Sequence, residues 1–188
     1  MSRPRSDGKR RAILEAALRV FAERGVGNTP TLAISEAAGV AEGSLFTYFK
    51  TKAELINELY REMRREFDLE LIDFPRDADA QTRLRYIWDK FVSLGISQPQ
   101  RLTVIRQIRA SGKLLKENEQ AGAMILETLG ATRDAVTGGG LHEAPLEFMV
   151  LQLRAHAEAT IEFILAHPEQ EAECREMGFT LIWKGLTG

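Results

Sequence analysis

The strongest constraint on this chain is residues 29–54, where one glycine separates two short helical patterns. Ile34, Ala37 and Ala38 stand at i, i+3 and i+4, which is one apolar face of a short helix. Thr29 is a preferred N-cap residue, and Pro30 suits a first helical turn, where its missing N–H is no loss. Gly39 is the residue type that ends a helix in the left-handed conformation. A second short helix is expected over residues 41–48, with Leu45 and Phe49 pointing inward. Two short helices joined by a glycine-containing turn form a helix-turn-helix, the unit that lays its second helix in the major groove of DNA.

The same residues resemble the DNA-binding region of the TetR family of bacterial one-component regulators. Ile34, Ala38, Gly39, Val40, Gly43, Ser44, Leu45, Tyr48, Phe49, Thr51, Lys52 and Leu55 match the family pattern in order and spacing. Ser35, Ala41 and Phe46 depart from it, standing where Ala, Ser and Tyr are usual. The last two changes each remove a hydroxyl and with it a cap or phosphate contact. The resemblance implies that Thr31, Tyr48 and Lys52 touch phosphates, with half-burial as a core aromatic the other reading of Tyr48. Ala41, Glu42, Gly43, Ser44 and Thr47 are the groove-facing positions. Glu42 is awkward there, because a carboxylate repels phosphate; it either accepts from a cytosine amino group or faces solvent. Arg3, Arg5, Lys9 and Arg10 suit either a flanking arm or a solvated tail.

Charge is distributed accordingly. Residues 1–52 hold nine Lys/Arg against five Asp/Glu, while the remainder holds 16 against 22. A basic end beside an acidic body is the pattern of a nucleic-acid contact. Cys174 is the one cysteine in 188 residues, which excludes a disulfide framework within the chain and suits a reducing cytoplasm. No apolar run approaches the ~20 residues of a membrane span, and the basic start lacks a signal peptide's apolar stretch. His142, His156 and His167 have no metal-ligand spacing. No phosphate-cradling glycine loop or nucleophile elbow is present, so neither enzyme chemistry, a metal nor a cofactor is expected.

The rest of the chain reads as amphipathic helices. They are expected near 7–24, 51–74, 79–97, 99–110, 114–136, 144–166 and 168–186, with Gly138, Gly139 and Gly140 as a flexible break. A DNA head needs only about fifty residues, so the body has its own purpose. The resemblance implies ligand binding and dimerisation. Trp88, Phe91, Ile105, Ile108, Met124, Phe148 and Leu126 are the apolar candidates for a ligand site, with Arg106 and Arg109 as anchors for an acidic group or as exposed residues. Met149, Leu153, Ala157, Ile161, Phe179, Ile182 and Trp183 are the candidates for a dimer interface built from the last two helices; an intrachain core is the alternative.

The expectation is an all-α chain. Residues 1–52 form a three-helix DNA-binding domain with a helix-turn-helix, and residues 53–188 a helical ligand-binding and dimerisation domain. The expected partners are a double-stranded palindromic DNA operator, a second copy of the chain and a small, mostly apolar effector. The alternatives are a helical DNA-binding protein without an effector, controlled by a protein partner, and a helical ligand binder that no longer reads DNA.

Overall fold

The computed structural model describes residues 4–119, 122–135 and 144–187. Among them the elements are ten α-helices and one 3-10 turn, with no strand. Helix α1 spans Pro4–Arg24, α2 Thr31–Ala37, α3 Glu42–Tyr48, α4 Lys52–Glu70, α5 Ala80–Ser97 and α6 Pro99–Ala110. Then come α7 at Lys116–Glu119, α8 at Ala123–Ala135, α9 at Leu146–Ala166, the 3-10 turn Pro168–Gln170 and α10 at Glu171–Thr187.

Helix ends follow local chemistry. Gly25 closes α1 at φ +84°, its N–H bonded to the Phe21 carbonyl at 2.9 Å. Gly39 closes α2 at φ +66°, a backbone that a side chain would strain. Thr51 accepts the Glu54 N–H at 3.0 Å, and Glu54 accepts the Lys50 N–H at 2.7 Å, so α4 begins with paired caps. Asp79 accepts the Thr82 N–H at 2.8 Å at the head of α5.

Two expectations are corrected. Thr29 does not cap α2: its hydroxyl donates to the Gly25 carbonyl at 2.7 Å, and Pro30 occupies the cap position without a side-chain bond. The carbonyls at the end of α1 lack helical partners and take the nearest donor. The single helix expected near 114–136 is two helices, α7 and α8. The Leu115 N–H and the Asn118 side-chain amide both donate to Asn57 Oδ1 at 2.9 Å, which binds this stretch to α4. Helix α8 starts afresh where the Gly122 carbonyl accepts the Ile125 and Leu126 N–H groups.

The chain divides into two compact units, 1–66 with 98–120 and 67–97 with 121–188. Packing therefore groups the first part of α4 and all of α6 with the head, whereas the boundary expected at 52/53 was drawn by role. In the first unit Ile13, Leu14, Ala17 and Phe21 of α1 pack with Ile34, Leu45, Phe49, Leu55, Leu59, Val104 and Ile108 in one buried cluster. Asn57, buried in this unit, also donates to the Ala53 and Lys113 carbonyls at 2.8 and 2.9 Å.

The second unit is a bundle in which α5, α8, α9 and α10 pack on one another. Its core includes Leu84, Ile87, Trp88, Leu129, Met149 and Ile161. Glycines set its closest approaches. A Cβ on Gly178 of α10 would lie 2.7 Å from Trp88 Cζ2 and 2.8 Å from Thr160 Oγ1. Neither neighbour is free to yield, because the Trp88 indole donates to the Arg175 carbonyl and the Thr160 hydroxyl to the His156 carbonyl. Alanine normally stabilises a helix by ~1 kcal/mol over glycine. At Gly178 overpacking, on the order of 1–3 kcal/mol, opposes that gain. Gly178→Ala is expected to lower the melting temperature by a few degrees. Gly130→Ala on α8, where a Cβ meets nothing within 4 Å, is expected to raise it. Thermal unfolding by circular dichroism checks both.

Candidate nucleic-acid interface

Helix α3 is seven residues long, too short to persist alone in water. It is held by Leu45, fully buried, and Phe49, 1% exposed, both in the head's apolar cluster. Burying each contributes roughly 1.5–3 kcal/mol. With that side turned inward, Ala41, Gly43 and Thr47 are exposed, and Glu42 and Ser44 are half-buried. Phe46 also stands outward, 39% exposed, at a position absent from the sequence-based set.

Other candidates are engaged in specific ways. Tyr48 is half-buried against the head's core. The Thr31 hydroxyl donates to Glu42 Oε1 at 2.9 Å, joining the first residues of α2 and α3. Lys52 Nζ donates to the Gly27 carbonyl at 3.2 Å and lies 5.9 Å from the Phe21 ring centroid. Burial, and then the Lys113 ammonium, hold Lys52 below the ordinary lysine pKa. A nearby anion would favour its charged form.

The arm is shorter than expected. Helix α1 already begins at Pro4, and Arg10 lies over the Phe49 ring at 5.6 Å and pairs with Glu58 of α4. Lys9 is exposed, and Arg3 lies outside the described residues. Sequence reasoning missed Arg19, which donates to the Ala37 carbonyl at 3.1 Å at the end of α2. It also missed Gln107 of α6, whose side-chain oxygen accepts the Val26 N–H at 3.1 Å. Both lie far in sequence from the groups they bind, and no local spacing signals them.

The ligand candidates are divided between the units. Ile108 is fully buried in the first unit's cluster, with Ile105 packed against it. Arg109 of the same unit donates to the Tyr60 hydroxyl at 2.8 Å, and Arg106 is exposed. In the second unit Trp88 is buried, Phe91 packs edge-on against Phe67 at 5.7 Å, and Met124 rests on a cluster of Leu71, Phe74 and Ile87. Leu126 is half-buried and Phe148 is 48% exposed. His156 accepts no metal partner set: among the described residues no three His, Cys, Asp or Glu side chains are grouped to hold a metal. His142 and Gly138–Gly140 lie outside the described residues.

The interface candidates lie on α9 and α10. Met149, Leu153, Ala157, Ile161, Phe179 and Ile182 are all buried within the chain itself, and Trp183 is half-buried. Periodicity identifies apolar faces but does not say which face of a doubly apolar helix meets its own core. Outward apolar residues on α9 include Phe148, Leu151, Phe163 and Leu165, and those on α10 include Met177 and Leu181, 40–57% exposed.

A short, core-anchored helix with its opposite side open, preceded by a second short helix and a left-handed glycine, defines the head of a helix-turn-helix DNA-binding protein. Residues 13–59 match the family model described as bacterial regulatory proteins, tetR family. The match covers the helix-turn-helix, and the chain shares the fold of solved structures assigned to that family. A structure from Shewanella sp. PV-4 assigned to the family superposes with a TM-score of 0.82 at 24% identity, covering 94% of this chain and 97% of that one. One from Marinobacter aquaeolei VT8 gives 0.78 at 23% identity, covering 97% of each. The fatty acid metabolism regulator protein of Bacillus subtilis (strain 168) is 26% identical over 128 residues, 68% of this chain and 66% of its own length. The transcriptional regulator AcrR of Shigella flexneri is 41% identical over 51 residues, 27% of this chain and 24% of its own length. The matched stretches thus span less than two thirds of these relatives.

Helix α3 lacks one local support. Ala41 occupies its N-cap position at φ −66°, ψ 146°, with no side-chain bond to the helix. Serine at this backbone geometry caps the free N–H groups, a gain of ~1 kcal/mol. Ala41→Ser is expected to raise the melting temperature by a few degrees, checked by calorimetry.

Proposed function

We propose that the chain is a cytoplasmic DNA-binding transcriptional regulator rather than an enzyme, a repressor that grips a palindromic operator as a homodimer and releases it on binding a small apolar effector. The observation that carries the DNA reading is the open side of α3, where Ala41, Gly43 and Thr47 are exposed while Leu45 and Phe49 anchor the helix from behind. The match of residues 13–59 to the tetR family supports the same conclusion. Among the described residues no helix is long and apolar enough to cross a membrane.

In this reading Ala41, Glu42, Gly43, Ser44 and Thr47 face the groove, and Tyr48 and Lys52 lie toward the phosphates. Selection of bound duplexes from a random pool tests it: a palindrome with half-sites about one helical turn apart is expected. The absence of any enriched sequence would overturn it. Lys52→Ala is expected to weaken binding to every duplex alike and to lower the slope of log affinity against log salt by about one. A loss confined to the selected operator would make Lys52 a base-reading residue.

The dimer rests on the exposed apolar residues of the last two helices. Leu151, Phe163, Met177 and Leu181 leave apolar surface in water on α9 and α10, which a two-fold partner would cover. Leu181→Glu is expected to give folded monomer by light scattering, with weakened operator binding. Ile161→Glu places a carboxylate in the core beside Gly95 and is expected to unfold the second unit. A folded Leu181→Glu dimer with full operator affinity would put the interface elsewhere.

The effector proposal draws on the size of the second unit and on the name of the Bacillus subtilis relative, a regulator of fatty acid metabolism. A ligand that releases DNA must bind more weakly to the DNA-bound form, by the same factor that it weakens DNA binding. A thermal-shift panel of medium-chain apolar acids and alcohols, repeated with operator present, measures that coupling. If no compound shifts either quantity, control by a protein partner takes its place.

A further inference from the structure

We infer that Glu42 is the base-discriminating residue of α3, that it selects a cytosine in each half-site, and that Thr31 positions its carboxylate for this. The inference rests on the proposed DNA reading and names the base class it recognises.

Glu42 is the first residue of α3, and in a docked recognition helix the N-terminal residues are the ones that meet base edges. Its side chain does not hang free. The Thr31 hydroxyl donates to Oε1 at 2.9 Å, from the first residue of α2. That bond fixes the rotamer of an otherwise mobile side chain and occupies one carboxylate oxygen. Thr31 thus serves Glu42 rather than a phosphate.

A carboxylate held at a groove is a poor neighbour for almost everything DNA presents. Phosphates repel it, and the major-groove edges of guanine and thymine offer it only acceptors or a methyl group. Donors come from two amino groups, on cytosine N4 and adenine N6. Adenine N6 is flanked by acceptors on both sides, its own N7 and O4 of the paired thymine, which oppose a carboxylate, whereas cytosine N4 has an acceptor on one side only, O6 of the paired guanine, and its C5–H on the other. Cytosine is therefore the base that Glu42 tolerates and rewards. The same charge lowers affinity for all other sequences, so specificity is raised partly by repulsion.

The test is selection of bound duplexes from a random pool with the full-length chain and its variants. Wild type is expected to enrich a palindrome with a cytosine at one symmetric pair of positions, preferred about tenfold or more over other bases. Glu42→Gln adds a donor beside the acceptor and matches adenine N6 and N7, so that pair of positions is expected to change from cytosine to adenine while the rest of the palindrome stays. Thr31→Val is expected to blur the preference at those positions alone, and Thr31→Ser to restore it. The unchanged remainder of the palindrome shows that each variant is folded.

An unaltered palindrome from Glu42→Gln overturns the inference and leaves the DNA reading standing. A wild-type preference for adenine at the affected positions overturns the cytosine assignment. A Thr31→Val palindrome as sharp as wild type removes Thr31 from the mechanism. Failure of wild type to enrich any sequence instead defeats the proposed function itself.

Discussion

The insertion of Leu45 and Phe49 into the head's apolar cluster is the contact on which the rest of this molecule depends. Two helical turns have no stability of their own. Nearly all of the helix's order comes from those two side chains, buried among Ile13, Phe21, Ile34 and Leu55. Because the anchors lie on one side, the opposite side is committed to the outside. Which residues of α3 stand open is thereby set by packing: Ala41, Gly43 and Thr47 are exposed because the anchors face the other way.

Much of this was legible in the sequence for a physical reason. The glycines that end α1 and α2 sit at positive φ, where other residues are strained, so they are strong local signals. The Thr51 and Glu54 caps are likewise contained within four residues. What was not legible is whatever depends on distant partners. Thr29 has the right character for a cap but lies nearer a carbonyl that needed it more. Asn118 and Leu115 turn toward Asn57, some sixty positions away, and break what reads as one helix.

The second unit shows the same limit in another form. Its last two helices are apolar on more than one side, and periodicity marks the sides without ranking them. The side carrying Met149, Leu153 and Ile161 went to the chain's own core, and Leu181 and Phe163 were left outside. Gly178 decides this arrangement, since its missing side chain admits Trp88 and Thr160 to within what would be a collision. A glycine in the middle of a helix thus records a close neighbour that no local pattern names.

The buried amide of Asn57 carries a mechanical consequence. It makes four hydrogen bonds at once, to the carbonyls of Ala53 and Lys113, the N–H of Leu115 and the side chain of Asn118. Each orphaned partner would cost about 1–3 kcal/mol. Sliding α4 past residues 113–118 by even a fraction of a turn loosens several of them together, and no intermediate register replaces them. The joint is therefore a detent rather than a spring: small forces are absorbed without travel, and movement begins only when the whole set lets go.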